Sequence, residues 1–515
     1  MSKESFSGLP QAERQGPHGP PKEAWPEEEL TALFQARFQT RTAPVLAAEV
    51  SRHGRATVRV FRGAVDHTGA APGERTAFRI ASCTKSFTAA AALVLRKAGR
   101  LDLETDIREW LPELRFTGTF AAEPVAVRHL LSMASGLPED DPWADRQESM
   151  PAEQFDALLA GGLRLASPPG DRFRYSNLGY ALLGRILERA SGMNYRALVT
   201  GSLLRPLGLS DTVFAAEELR TPAVRGYRRT AAGDWQPLPF SGPGQFSPIG
   251  GLFSTLRDLR RWAAWLAAGP ACTADPDGPA EAGGLAAGPL DLADRAEMQR
   301  IHRPVPLRAD DPPGSRRGYG YGLNVLDHAA AGRIVYHSGG YPGFSAQMRW
   351  HPGTGTIVLG LENATYSRIG EAVTRAMDVA LGLTEKAPPA TPPAVEVTGS
   401  ADAGTWPELQ AVRDALCAWL TRPSSESERA LRALFGPNLD QDRPWEERCA
   451  DWLQLCAAAG PLRPEKVRPD HGDAPAELCW TVPGQHADLR CLAQLNPLEP
   501  PQLQRLDICL VPHDA

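Results

Sequence analysis

The chain has 515 residues, more than one compact core usually holds, so two domains are expected. Hydrophobic residues at 42% and charged residues at 23% are those of an ordinary globular protein, and a net charge of −6 gives no reason to expect nucleic acid or an anionic membrane as partner. No apolar run approaches the ~18 residues of a membrane-spanning helix; the best, Ala89–Leu95, ends at Arg96.

Met1 to Glu29 is polar, rich in Pro and Gly, and lacks an apolar core followed by a cleavage site. A cytoplasmic location without a secretory signal is the expectation. Residues 1–25 read as a disordered tail and Glu27–Gln39 as a helix. Val45–Val50 and Ala56–Phe61 alternate around His53-Gly54, the pattern of a β-hairpin. A short strand, Thr76–Ile80, leads into an alanine-rich helix that stops at Gly99, after Arg96 and Lys97. From about 100 to 300 the chain is mostly helix and loop, with helical periodicity at Val127–Met133, Leu178–Ala190 and Leu256–Leu266. Ala271–Gly288 reads as an exposed Ala/Gly/Pro/Asp insertion.

Strands return at Arg333–His337, Phe344–Trp350 and Thr356–Leu361, the last two separated by Pro352-Gly353-Thr354-Gly355, a strong turn signal. A helix, Arg368–Leu381, precedes the Pro/Ala-rich Lys386–Thr405, whose composition marks a boundary. Helical patterns (Pro407–Leu420, Trp445–Ala459) then give way to strands (Leu478–Val482, Ala487–Leu495, Leu503–Val511). The expected division is a tail over 1–25, a first domain over 26–384, a linker over 385–405 and a small α+β domain over 406–515. Cys83, Cys272, Cys417, Cys449, Cys456, Cys479, Cys491 and Cys509 show no C-x-x-C spacing, so neither a metal nor another cofactor is expected, and the thiols read as small buried hydrophobes in a reducing compartment.

Three short segments carry chemistry. Ser82-Cys83-Thr84-Lys85 places serine and lysine three apart at a strand-to-helix junction, on one face of the first turn. A serine hydroxyl needs a base within reach, and a buried lysine with a depressed pKa can be that base. Lysine is scarce here (Lys3, Lys22, Lys85, Lys97, Lys386 and Lys466), and Lys85 leads into an apolar run rather than a charged stretch. Tyr175-Ser176-Asn177, ahead of a helix, can aim a phenol and a carboxamide into a cleft. His337-Ser338-Gly339-Gly340, read as the end of a strand, lets backbone approach a ligand, with the Gly340 N–H as an oxyanion donor.

In this order and separation, Ser-x-x-Lys, Tyr-x-Asn and His-x-Gly resemble the active-site elements of class C β-lactamases and their relatives: related serine peptidases, D-aminopeptidases and β-lactamase-like carboxylesterases. Supporting phrases include Ser135-Gly136-Leu137-Pro138, Arg205-Pro206-Leu207-Gly208-Leu209 and Gly250-Gly251-Leu252-Phe253-Ser254-Thr255, and the resemblance spans about residues 27–383. It implies an α+β fold, an antiparallel sheet with flanking helices plus a helical subdomain. The C-terminal domain is loosely similar to the nuclear-transport-factor-2-like cone.

The resemblance makes Ser82 the nucleophile, Lys85 its base and Tyr175 a second acid/base. Asn177 becomes a positioning amide, and His337, Ser338, Gly339 and Gly340 the substrate-binding and oxyanion strand. The β-lactamases generally carry Lys-Thr-Gly where this chain has His337-Ser338-Gly339; a mostly neutral histidine would hold a substrate carboxylate less strongly. The expected function is therefore a serine hydrolase forming an acyl-enzyme on Ser82, a carboxylesterase for small acyl esters. The alternatives are a D-amino-acid-specific peptidase or acyl transferase, a weak β-lactamase, and an acylated ligand sensor. Expected partners are small-molecule esters, amides or peptides, with no nucleic acid and no membrane; a homo-oligomer is compatible with all of these. No G-x-S-x-G elbow and no Walker P-loop occurs.

Overall fold

The computed structural model of the protein describes residues 25–53, 55–66, 68–220, 223–230, 232–268, 288–383, 404–472 and 474–513. Of the sequence expectations, the tail over 1–24, the insertion over 271–287 and the linker over 385–403 lie outside the described residues.

Leu46–Arg52 (β1) and Arg55–Arg62 (β2) form the hairpin that their alternation predicts, with Arg52 paired to Arg55. Arg303–Val305 (β3), Arg316–Tyr319 (β4), Asn324–His328 (β5), Gly332–Tyr341 (β6), Phe344–His351 (β7) and Thr356–Glu362 (β8) complete the main sheet. Its order is β2-β1-β8-β7-β6-β5-β4-β3, antiparallel throughout.

Both faces of this sheet are covered, which is why its central strands read as near-continuous apolar runs. Glu27–Gln39 (α1) and Ile369–Ala380 (α6, after the four helices named next) lie on the outer face, where Leu30, Phe34 and Val373 meet Val50, Val60, Ile334 and Tyr336. On the inner face Val335, Met348, Trp350 and Leu359 join the largest core, with Thr84–Lys97 (α2), Asn177–Ser191 (α4) and Leu256–Ala267 (α5). The short helix Asp141–Ala144 (α3) belongs to the helical region facing that side. Helix α2 is buried nearly all round, and its run Ala89–Ala92 keeps it thin enough to be enclosed. Phe87 stacks on Trp262 of α5 with ring centroids 3.9 Å apart.

A separate core forms around Trp419, Trp452 and Trp480. Glu408–Thr421 (α7), Asn438–Asp442 (α8) and Trp445–Ala459 (α9) accompany a four-stranded antiparallel meander of Arg468–His471 (β9), Glu477–Val482 (β10), Ala487–Leu495 (β11) and Leu503–Pro512 (β12). The elements around this core also hold the segment around α3. The fully buried Gln504 carboxamide donates to Glu139 O (2.7 Å) and accepts from Trp143 N (3.4 Å), and Asp442 pairs with Arg146 at 2.5 Å. Among the described residues no helix is long and apolar enough to cross a membrane.

Two sequence expectations change. The strand Thr76–Ile80 shrinks to Phe78–Arg79, paired with Phe253–Ser254, because Ala81 turns the chain into a helix with φ +48°. His337–Gly340 is not the end of a strand but the interior of β6, which runs on to Tyr341 and turns at Pro342-Gly343. Gly339 is there for proximity: a Cβ on it would stand 2.3 Å from Ile80 O.

Candidate active site

Ser82 lies in the single 3-10 turn Ala81–Cys83 that opens α2. The left-handed φ of Ala81 is uncommon for a residue with a Cβ. Hydrogen bonds from Ile80 N to Leu252 O (2.9 Å) and from Cys83 N to Ile80 O (3.2 Å) hold the turn. Ser82 stays half-buried while its neighbours are buried, so its hydroxyl is reachable. The opening turn of a helix has no intrahelical carbonyl for its amides, which leaves the Ser82 N–H free to meet an anion.

Lys85, fully buried one turn on, places Nζ 2.9 Å from Ser82 Oγ and 2.9 Å from Ile249 O. Burial lowers its pKa from 10.5 to about 8, against the opposing pull of Asp141, Asp145 and Asp140. The ammonium also faces the rings of Tyr175 (5.0 Å) and Tyr180 (5.9 Å). A lysine poised near neutrality and bonded to a serine has the two properties a general base needs.

Tyr175 comes immediately before α4. The N-cap of that helix is Ser176, whose hydroxyl accepts from Gly179 N at 3.0 Å. Asp140 satisfies two further orphan amides, accepting from Asn177 N (2.7 Å) and Leu178 N (2.9 Å), and it also accepts from Ser176 Oγ (3.0 Å). The register this enforces brings the Tyr175 phenol to Ser82. Burial raises the phenol's pKa well above 10, with the Asp141 charge adding to it and the Ser82 hydrogen bond opposing. Tyr175 is therefore a protonated phenol at neutral pH.

His337 is buried on the inner face of β6. Its Nδ1 is 2.7 Å from Ser338 O and its Nε2 3.1 Å from Tyr319 OH. A carbonyl only accepts, so Nδ1 carries the proton and Nε2 takes the tyrosine's. Burial, then Lys85, lowers the ring's pKa from 6.5 to about 3. The histidine is neutral. Ser338, on the opposite face, is exposed and donates to Gln347 Oε1 at 3.2 Å. The two-residue turn closes on the hydrogen-bonded pair Tyr341–Phe344, so by alternation Gly340 pairs with Ser345 without exchanging bonds, and its N–H points away from β7. Pairing of β6 with β5 ends at Tyr336, which leaves that edge open toward the Ser82 turn.

Ser82, Lys85, Tyr175 and His337 thus converge, with Gly339 packed beneath the turn. Asn177 stands one residue further off: its Nδ2 donates to Asp141 Oδ1 (2.5 Å) and Asp145 Oδ1 (3.5 Å), and its buried Oδ1 has no protein partner among the described residues. Sequence reasoning missed the acidic wall. Asp140, Asp141 and Asp145 all have pKa values raised from 3.8 to about 7, chiefly by burial. The usable signal was Asp141 and Asp145 four apart, at the start and just past the end of a short helix, soon after Ser135-Gly136-Leu137-Pro138. Tyr319 was also missed, hidden in a glycine-rich stretch that reads as a turn.

A family model described as Beta-lactamase matches residues 30–381. Penicillin-binding protein 4* of Bacillus subtilis is 27% identical over 288 residues, which are 53% of this chain and 57% of that protein, so this chain spans little more than half of that relative's length. Esterase EstB of Burkholderia gladioli is 29% identical over 350 residues, 60% of this chain and 82% of the relative. Among solved structures, an octameric penicillin-binding protein homologue from Pyrococcus abyssi superposes with a TM-score of 0.59 at 19% identity, covering 95% of this chain and 96% of its own, a likeness of fold.

Proposed function

This chain belongs to the β-lactamase family, and from that premise we propose that it is a serine hydrolase which forms an acyl-enzyme on Ser82 and acts as a carboxylesterase on small, uncharged acyl esters. The observation that carries the reading is the 2.9 Å bond between Lys85 Nζ and Ser82 Oγ, made by a lysine whose pKa is lowered to about 8.

Neutral Lys85 accepts the Ser82 proton as Oγ attacks the ester carbonyl carbon. The amides of Ser82 and Gly340 receive the resulting oxyanion. When the carbon–oxygen bond to the alcohol breaks, the Tyr175 phenol gives its proton to the leaving oxygen and is reprotonated from Lys85. Water then attacks the acyl-serine, its proton passing to the same pair, and the carboxylic acid departs with Ser82 restored. Asn177, held by Asp141, fixes the start of α4 and with it Tyr175. The neutral His337 and the three aspartates opposite it support a preference for substrates without a carboxylate.

One observation favours a second reading. The carboxylates of Asp141 and Asp145 would attract a free ammonium, which suits a D-amino-acid amide or peptide. Esterase EstB is a relative whose name fits the first reading. For the assembly, the octameric fold neighbour makes a homo-oligomer our expectation. Turnover of p-nitrophenyl acetate, a D-alanine p-nitroanilide and a chromogenic cephalosporin should rank in that order. Cephalosporin hydrolysis faster than ester hydrolysis would reject the esterase reading.

A further inference from the structure

Tyr366 is an exposed aromatic at the cleft to which the reaction above gives no role. It is 53% exposed, lies in the loop between β8 and α6, and has φ +45°; Arg368 in the same loop has φ +64°. Bulky residues adopt this region only where the surroundings over-determine it. Here they do. On one side Thr365 N donates to Tyr227 O (3.0 Å), and the Thr365 hydroxyl accepts from Gly343 N (2.8 Å). On the other, Ser367 N donates to Ser345 Oγ (2.7 Å), while Arg37 holds Ser367 O and the Glu362 carboxylate.

With both neighbours pinned, the side chain has a fixed destination. Its ring lies over Gly340, where a Cβ would stand 2.5 Å from Cε1 and 2.6 Å from Cδ1. Its hydroxyl donates to Asp145 Oδ2 at 2.6 Å. Gly340 belongs to the sheet wall of the cleft. Asp145 belongs to the helical wall, where it also accepts from Asn177. A single side chain therefore joins the two walls beside the strand edge that carries the Gly340 N–H, and Gly340 must be glycine for the ring to lie there.

We propose that Tyr366 is a specificity-determining residue, the barrier that closes one end of the Ser82 cleft and keeps short the substituent running over Gly340. This rests on the acyl-enzyme reading of Ser82. Without the ring, that end of the cleft opens onto the outer face of the sheet, where Ser338 is already exposed.

The test measures kcat/KM for p-nitrophenyl acetate and octanoate, and for phenyl and 2-naphthyl acetate, in the full chain, Tyr366→Phe and Tyr366→Ala. A fluorophosphonate labels Ser82 in each protein as a control. The octanoate/acetate ratio or the naphthyl/phenyl ratio should rise at least ~10-fold in Tyr366→Ala. It should rise less in Tyr366→Phe, which keeps the ring and loses its anchor. If the alanine variant fails to fold, Tyr366→Leu carries the same expectation with a smaller rise. Both ratios unchanged, with Ser82 still labelled, would overturn the proposal. A wild-type protein that turns over esters without labelling at Ser82 would instead defeat the acyl-enzyme reading beneath it.

Discussion

On the sheet side of the cleft a buried histidine is driven down to a pKa of about 3, while on the helical side three aspartates are driven up to about 7. Burial is the largest cause in each case, and in each case it disfavours the charged form. The two walls nonetheless differ in what remains. The histidine is fully discharged, with both nitrogens committed to Ser338 O and Tyr319 OH. The aspartates titrate close to neutrality and keep part of their negative charge. Lys85 sits between them, lowered by burial and raised by the acids, and the balance leaves it near the pH at which a base is useful. The lesson is that its activation is a property of the whole cleft rather than of the Ser-x-x-Lys segment.

The change that should break this asymmetry most is His337→Lys. It puts a fixed cation on the neutral wall, and selectivity should move toward carboxylate-bearing substrates by ~1–2 kcal/mol if the charge is partly desolvated. The measurement is kcat/KM for a chromogenic cephalosporin relative to p-nitrophenyl acetate. An unchanged ratio in a folded variant would remove His337 from the substrate's surroundings.

A smaller effect is expected from Asp141→Asn, which removes charge from the other wall. Asp141 raises the pKa of Lys85, so the substitution lowers it. A general base works when neutral, so the rate rises with pH through the lysine's pKa, near 8 in the wild type. The rising limb of the kcat/KM profile should therefore move to lower pH. A limb that stays in place or moves upward would show that the acid wall does not act on Lys85.

How much of this was legible in the sequence depended on scale. Ser82, Lys85, Tyr175 and His337, which the fold brings together, could be singled out because each sits at an element boundary or in a short phrase whose residue types have a chemical reason to be together. Helices such as Glu27–Gln39 and Trp445–Ala459 have the bounds their periodicity suggests. The strands β3, β4 and β5 escaped notice because they are three to five residues long, and β4 runs into the glycine-rich stretch around Tyr319. The acid wall was illegible for another reason: the carboxylates act through space on a lysine some 55 positions earlier, counting from Lys85 to Asp140. The hold of Gln504 and Asp442 on the segment around α3 was equally hidden, since it joins residues 365 and 296 positions apart in the chain.

The central claim is that Ser82 is the acyl-accepting nucleophile and Lys85 activates it. It is tested most directly by treating the full chain with a fluorophosphonate or p-nitrophenyl ester and mapping the adduct by mass spectrometry. The account predicts a single adduct on Ser82, absent in Ser82→Ala, that forms faster as pH rises through about 8. An adduct on any other serine, or labelling of Ser82 at a rate independent of pH across that range, would contradict it.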